Sequence, residues 1–188
     1  MKTVKYLTIA FLSLMFMTGF GFSKKTATQE RQGILKMRQE ILAQLYAETP
    51  GAREVLAEAA GYAVFSSLGV NVLLVSTANG SGVLHDNSNG QETYMKMFSA
   101  GGGLGLGVKD FRLVFVFDNQ KVMKKFVEEG WQAAAQADAA AKYDEKGDAA
   151  ALAIDVAPGV YLYQMTDSGL ALQATIQGTK YWKDDDLN

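Results

Sequence analysis

From Thr26 to Glu48 the apolar residues return with a helical period. On a wheel of roughly 100° per residue, Ile34, Leu35, Met37, Ile41, Leu42, Leu45 and Tyr46 fall within about half the circumference. Lys36, Gln39, Glu40 and Ala43 take the other side. Arg38 falls inside the apolar arc. Three readings are open for it: a stem packed on the core with its guanidinium reaching outward, a local ion pair, or a cation placed to meet a lipid phosphate. Thr49-Pro50 predicts a restart, with Thr49 as N-cap and Pro50 in the first turn. Ala52, Val55, Leu56 and Ala59 keep one apolar face, and Gly61 ends the helix.

Beyond Gly61 the pattern changes to short β-rich runs and tight turns. Residues 62–66 and 71–77 read as strands, and Asn79-Gly80 is the strongest hairpin dipeptide in the sequence. Gly82-Val83-Leu84, a polar turn over 85–90 and a strand around 93–98 follow. Residues 103–108 and 111–117 read as another hairpin across Lys109-Asp110. In its second strand Phe111, Leu113, Phe115 and Phe117 share one face, and Arg112, Val114 and Val116 the other. Asp118 is the expected cap of a helix with well-separated faces. Val122, Met123, Phe126 and Val127 point one way, while Lys121, Lys124, Lys125 and Glu128 point the other. Gly130-Trp131 closes that helix. Residues 133–142 are alanine-rich and favour helix by propensity, without a large side chain to anchor one. Residues 144–148 read as a polar loop. Strands over 159–165 and 170–177 finish the chain, joined at Asp167-Ser168-Gly169. The fold class expected is α+β: an antiparallel, barrel-like sheet covered by helices, with an amphipathic helix at its N-terminal side.

Composition narrows the chemistry. The chain of 188 residues is 48% hydrophobic and 20% charged, ordinary for a globular domain, and long enough for one core. It has no cysteine, which excludes disulfides, thiolate metal sites and a cysteine nucleophile. His85 is the single histidine, so the usual multi-histidine zinc centres are excluded as well.

The first 23 residues follow a different rule. Lys2 and Lys5 precede an apolar run from Tyr6 to Phe22, and small residues lie at Gly19, Gly21 and Ser23. That is the layout of a secretory signal over 1–23, with a single domain over 24–188. The alternative is an uncleaved anchor, but a run interrupted by Thr18, Gly19 and Gly21 is short for a span. Removal of 1–23 takes two of the 18 basic residues and none of the 20 acidic ones, so the net charge goes from −2 to −4. Export and an acidic balance both argue against a nucleic-acid partner. The expected location is the periplasm.

Several motifs invite a chemical reading. The run Gly101–Gly107 lacks the Lys-Ser/Thr of a phosphate loop and leads into a strand where a dinucleotide fingerprint needs a helix. Its period of two puts Gly101, Gly103, Gly105 and Gly107 in line, which suits close packing on bare backbone. Asp184-Asp185-Asp186 lacks the turn glycine of a calcium loop and reads as a solvated tail. His85 with Asp86 has no nucleophile elbow nearby, and no catalytic constellation or cofactor is expected. Lys121, Lys124 and Lys125, with Lys109 and Arg112 close in sequence, form a basic cluster. It is either a solvated helix face or a head-group site worth about 1 kcal/mol per cation at an anionic membrane.

A wider pattern combines these pieces. Ala60-Gly61-Tyr62-Ala63-Val64-Phe65, Gly80-Ser81-Gly82-Val83, the run 103–107 with Asp110, and Tyr163 through Gly178-Thr179 resemble the SYLF domain across residues 33–188. The closing Ser168-Gly169-Leu170, the stretch Gln177 to Trp182 and Leu187-Asn188 look like its exported bacterial branch. Ser66 stands where many members have proline, and the family pattern would read 133–141 as extended. The resemblance implies phospholipid or phosphoinositide binding and supplies no catalytic residues. In eukaryotic members an N-terminal amphipathic helix and basic residues are held responsible, and the loosely matching feature here is the helix carrying Arg31, Lys36 and Arg38.

The resulting expectation is a non-enzymatic module bound peripherally to phospholipid at the envelope membrane, with Arg31, Lys36, Arg38, Lys109, Arg112, Lys121, Lys124 and Lys125 as contacts. The alternative is an envelope scaffold that binds another protein through a sheet edge or the glycine strip. An enzyme working through His85 and Asp86 is the third reading.

Overall fold

The computed structural model describes residues 25–132, 153–166, 169–170 and 179–188, with the backbone alone for 68–76, 101–110, 132, 169 and 170. The predictions for residues 1–23, 133–142, 144–148 and 171–177 lie outside that description. The fold is α+β: the described residues form three helices and a seven-stranded antiparallel sheet curled into a half-barrel. Helix α1 (Ala27–Glu48) starts where Thr26 and Gln29 form a reciprocal capping box. Helix α2 spans Ala52–Glu58. The expected N-cap at Thr49 is corrected: Thr49 closes α1, its N–H donating to Leu45 O at 2.8 Å. Pro50 disfavours a helical Thr49, and Gly51, at φ 90°, turns the chain into α2.

Two strands of unusual length follow, β1 (Gly61–Asp86) and β2 (Glu92–Phe117), paired from Gly61 with Phe117 to His85 with Glu92. The two hairpins expected inside this stretch are therefore corrected. Asn79-Gly80 pairs with Phe98 and Met97, and Lys109-Asp110 pairs with Gly69 and Leu68, all within continuous strands. The chain turns only at the third expected place, the polar segment over 85–90. The Asp86 carboxylate accepts from Ser88 N and Oγ at 2.9 and 2.7 Å, and Gly90, at φ 73°, closes the turn on Asp86 O. Asn87 donates to Leu56 O and Ala59 O, so the same turn caps the end of α2.

Helix α3 (Gln120–Glu128) comes next. Its N-cap is Asn119, whose side chain accepts from Val122 N at 3.0 Å, in place of the expected Asp118. Asp118 instead accepts from the Tyr161 hydroxyl. The remaining strands are β3 (Trp131–Gln132), β4 (Ile154–Ala157), β5 (Val160–Thr166), β6 (Gly169–Leu170) and β7 (Thr179–Lys183). The first half of β2 pairs with β7 and its second half with β5, so one strand organises both sides of the sheet.

A straight strand of β1's length would reach about 85 Å, far beyond a domain of this size, so the hairpin must curl. It curls until β1 meets itself. A Cβ built on Gly82 would lie 2.2 Å from Phe65 Cδ1 and 2.5 Å from Val64 O, and one on Gly80 would lie 2.4 Å from Ser66 O. The inward faces of both halves then share one aromatic core. Phe115 sits edge-on to Phe65 and Tyr181 with ring centroids 6.0 and 5.1 Å apart, and Phe126 of α3 closes the group at 5.4 Å. The outward face is covered too. Ile41, Leu42 and Leu45 of α1, with Leu56 of α2, bury Val64, Val114, Val116 and Tyr163. Burial pushes the Tyr163 hydroxyl up to about 12. Earlier on α1, Ile34 packs with Val83, Tyr94 and Leu187. Helix α1 thus lies across both halves of the curled hairpin.

The acidic run near the C-terminus is also corrected. Asp184 is buried rather than solvated: Lys96 Nζ lies 2.7 Å from its carboxylate, and its N–H donates to Tyr94 O. The hydrogen bond from Lys96 to Asp184 is the main reason the Lys96 ammonium is held above its usual pKa. Asn188 continues this edge with its side chain. Its Oδ1 accepts from Tyr94 N at 3.0 Å, and its Nδ2 donates to Tyr94 O at 2.8 Å. Its Nδ2 also donates to Asp184 O at 2.6 Å, so Asn188→Ala removes three hydrogen bonds, and we expect a loss of about 1 kcal/mol in urea unfolding.

Candidate functional site

The residues expected to contact lipid separate into two sets once folded. Those on α1 are turned inward or paired. Arg31 Nε donates to Leu187 O at 2.7 Å, and its guanidinium lies over the Tyr94 ring, 5.8 Å from the centroid. Arg38 Nη1 lies 2.5 Å from Glu92 Oε1. Lys36 is exposed and pairs one turn on with Glu40 at 3.7 Å, a surface contact of little energetic weight. The apolar arc of α1 is occupied by the core, so the docked helix has no free face to insert. Arg112 of β2 is half-buried beneath α1, donating to Gln44 Oε1 at 2.5 Å.

The second set is on α3. Met123 and Phe126 are buried, while Lys121, Lys124 and Lys125 are exposed. Lys125 lies 3.9 Å from Glu129, one turn away. Helices α1 and α3 pack on opposite faces of β2's second half: Val114 and Val116 lie under α1, and Phe115 and Phe117 under α3. Lysines and arginines from the two helices therefore do not form one surface. The Lys109 side chain lies outside the described residues. So do the surroundings of Gly101, Gly103, Gly105 and Gly107. The backbone there shows a register shift: Leu73 pairs with Gly105 but Val75 with Gly102, placing a β-bulge within the glycine run.

A comparison with protein-family models finds no match. Over 163 residues the chain is 37% identical to "Beta cell expansion factor A" of Aeromonas veronii. The aligned region takes 87% of this chain and 60% of that protein, so the chain spans about three fifths of its relative's length.

The single histidine belongs to a polar cluster beneath α1. His85 Nδ1 lies 2.9 Å from Glu92 Oε1, the same oxygen that Arg38 holds, and the Tyr62 ring tilts over the imidazole at 5.3 Å. Glu92 Oε2 is buried without a hydrogen-bond partner. His85 therefore faces Glu92, and not the Asp86 of the third reading. The Asp86 carboxylate is taken by Ser88, Asn89 and Gln120. Slight burial works to raise its pKa, but these hydrogen bonds together outweigh that and hold it low. Above α1's end, the Arg53 guanidinium stacks 4.1 Å from the Tyr46 ring centroid. Among the described residues no group of histidine, aspartate and glutamate is arranged to hold a metal ion. No described helix is long and apolar enough to cross a membrane.

Sequence reasoning missed the roles of Glu92, of Asp184, which it left in a solvated tail, and of Phe98. The first two are joined to Arg38 and Lys96 across long sequence separations, which no local pattern encodes. Phe98 is 39% exposed on the outward face of β2, beside Lys180 of β7 and Asn79 of β1. Its signal was present in the sequence. It shares strand parity with Lys96, and the inward residues are Met95 and Met97.

Proposed function

We propose that this chain is an exported, non-enzymatic SYLF-type module that binds phospholipid peripherally at the cell-envelope membrane. The observation that carries the reading is the outer face of α3, where Lys121, Lys124 and Lys125 stay together in solvent. Of the three α1 cations, by contrast, Arg31 and Arg38 are held by internal bonds and Lys36 alone is exposed. In this reading α3 supplies the head-group attraction, and α1 remains docked. The resemblance across residues 33–188 supports the lipid partner, and the pattern of 1–23 supports export.

Flotation of the mature protein with anionic and neutral vesicles tests this. Two cations at about 1 kcal/mol each correspond to roughly a thirtyfold change in partition, so Lys121→Gln/Lys124→Gln is expected to weaken anionic-vesicle binding by about that factor. Folded protein that floats with neither vesicle would reject the reading. The second reading is a protein-binding scaffold, for which Phe98 is the one exposed large hydrophobic among the described residues. A stoichiometric envelope partner that survives delipidation and is lost in Phe98→Ser would support it.

A further inference from the structure

The outward face of the sheet changes character one row past the cover of α1. Ile34 of α1 packs on the paired residues Val83 and Tyr94. The next row across β1, β2 and β7 is Ser81, Lys96 and Trp182, and the row after it is Asn79, Phe98 and Lys180. Ser81, Lys96 and Trp182 are half-buried, and Asn79, Phe98 and Lys180 are exposed. Two aromatic rings and two lysines therefore alternate over neighbouring strands, Trp182 beside Lys96 and Phe98 beside Lys180. Diagonal neighbours on one sheet face lie about 7–8 Å apart, so the two rings sit within reach of each other. On its other flank Trp182 meets a bare backbone: a Cβ built on Gly130 would lie 3.9 Å from Trp182 Cβ. The charges differ in availability. Lys96 is held by Asp184 and Asp186 at 2.7 and 3.3 Å, while Lys180 makes no ion pair among the described residues.

Peripheral binding combines attraction to head groups with burial of apolar surface at the acyl boundary. In the membrane reading the lysines of α3 supply the first. Docked α1 does not supply the second, because its Ile34, Ile41, Leu42 and Leu45 are buried in the core. Among the described residues that leaves Phe98, the one exposed large hydrophobic, with Trp182 at its side. Tryptophan is enriched at the level of lipid head groups, where its apolar body and polar N–H meet two different surroundings. A lysine stem next to it lies along apolar surface and keeps its ammonium in the polar layer. Size separates a bilayer from a folded partner. Two rows on three strands span about 14 by 14 Å, roughly 200 Å², against about 800 Å² a side for a stable protein interface. A bilayer accepts a rigid insertion of that size.

We propose that Phe98 and Trp182 insert into the phospholipid interface, with Lys180 directed to the head-group phosphates. The inference rests on the membrane reading and adds to it the apolar contact that α1 does not provide. Because this contact is largely apolar, it persists at salt concentrations that screen the lysines of α3.

The test uses the mature protein carrying Trp131→Phe, which leaves Trp182 as the one tryptophan. Vesicles of phosphatidylglycerol and phosphatidylethanolamine are prepared with and without acyl chains brominated near the head group. On binding, Trp182 emission should move to the blue and be quenched by the brominated lipid. Flotation then compares Phe98→Ser and Trp182→Ser with the parent. Each is expected to partition about tenfold more weakly at both low and high salt, with its melting temperature held. Lys121→Gln/Lys124→Gln, by contrast, should lose binding at low salt and little at high salt. A parent that floats with no vesicle rejects the membrane reading, and this site with it. A parent that floats while Trp182 emission stays unmoved, or while both serine variants float equally well, overturns the site alone. Loss of a bound envelope protein in Phe98→Ser with unchanged lipid partition would also overturn it, assigning the patch to that partner.

Discussion

Gly82→Ala should lower the stability of this domain by about 3 kcal/mol, through one added methyl group. The added Cβ would lie 2.2 Å from Phe65 Cδ1 and 2.5 Å from Val64 O, well inside any tolerated contact. The Phe65 ring has little room to retreat. It is fully buried and packed against Phe115, Phe126 and Tyr181 at centroid distances of 6.0, 6.4 and 4.9 Å. Val64 O belongs to the backbone of the same strand, 18 positions earlier, so relief requires opening the curl itself. Urea unfolding should show a midpoint well below that of the parent. Gly33→Ala is the matched control: nothing lies within 4 Å of its Cβ, and it sits in the interior of α1. That exchange should stabilise by about 0.8 kcal/mol from helix propensity alone. Equal midpoints for the two variants would contradict the self-approach of β1.

Arg38→Ala should cost about as much, near 3 kcal/mol, for an electrostatic reason. Glu92 is three-quarters buried, its Oε2 has no partner, and its Oε1 is held by Arg38 and His85. Loss of the guanidinium leaves a carboxylate desolvated with one weak neighbour, and breaking a buried pair costs roughly 3–5 kcal/mol. The partial exposure of both side chains, 17% and 24%, places the effect at the lower end of that range. Removing both charges should be far less harmful. Arg38→Met/Glu92→Met is expected to recover most of the loss, and a double-mutant cycle measures the coupling. The same variant separates structure from membrane binding. If α1 stays docked, folded Arg38→Met/Glu92→Met should partition onto anionic vesicles like the parent, whereas the α3 lysine variant should not.

These two expectations show how differently the two kinds of residue could be read beforehand. The apolar arc of α1 and the segregated faces of α3 are local periodicities, and the helices lie where those periodicities put them. The alternation over residues 111–117 likewise predicted two faces, and each face found its own core, Phe115 and Phe117 on one side, Val114 and Val116 on the other. Arg38 was visible as an anomaly in an apolar arc. Its partner was not, because Glu92 is 54 residues away and belongs to no local pattern.

The turns mark the limit of local reading. Asn79-Gly80 has the strongest hairpin chemistry in the chain, yet it lies inside a strand, paired with Phe98 and Met97. Turn propensity contributes on the order of 1 kcal/mol, and a continuous ladder sharing one aromatic core outweighs it. Gly80 and Gly82 are in place because the backbone of β1 passes close to itself there. Short-range chemistry within the sequence determined the helices, their buried faces and the α+β class. The tertiary structure alone decided which of the three candidate turns closes a hairpin, which cations are internally bound and which stay in solvent. Each of those depends on groups brought together by the curl of a strand, and that curl is a property of the packed sheet, with no counterpart in neighbouring residues.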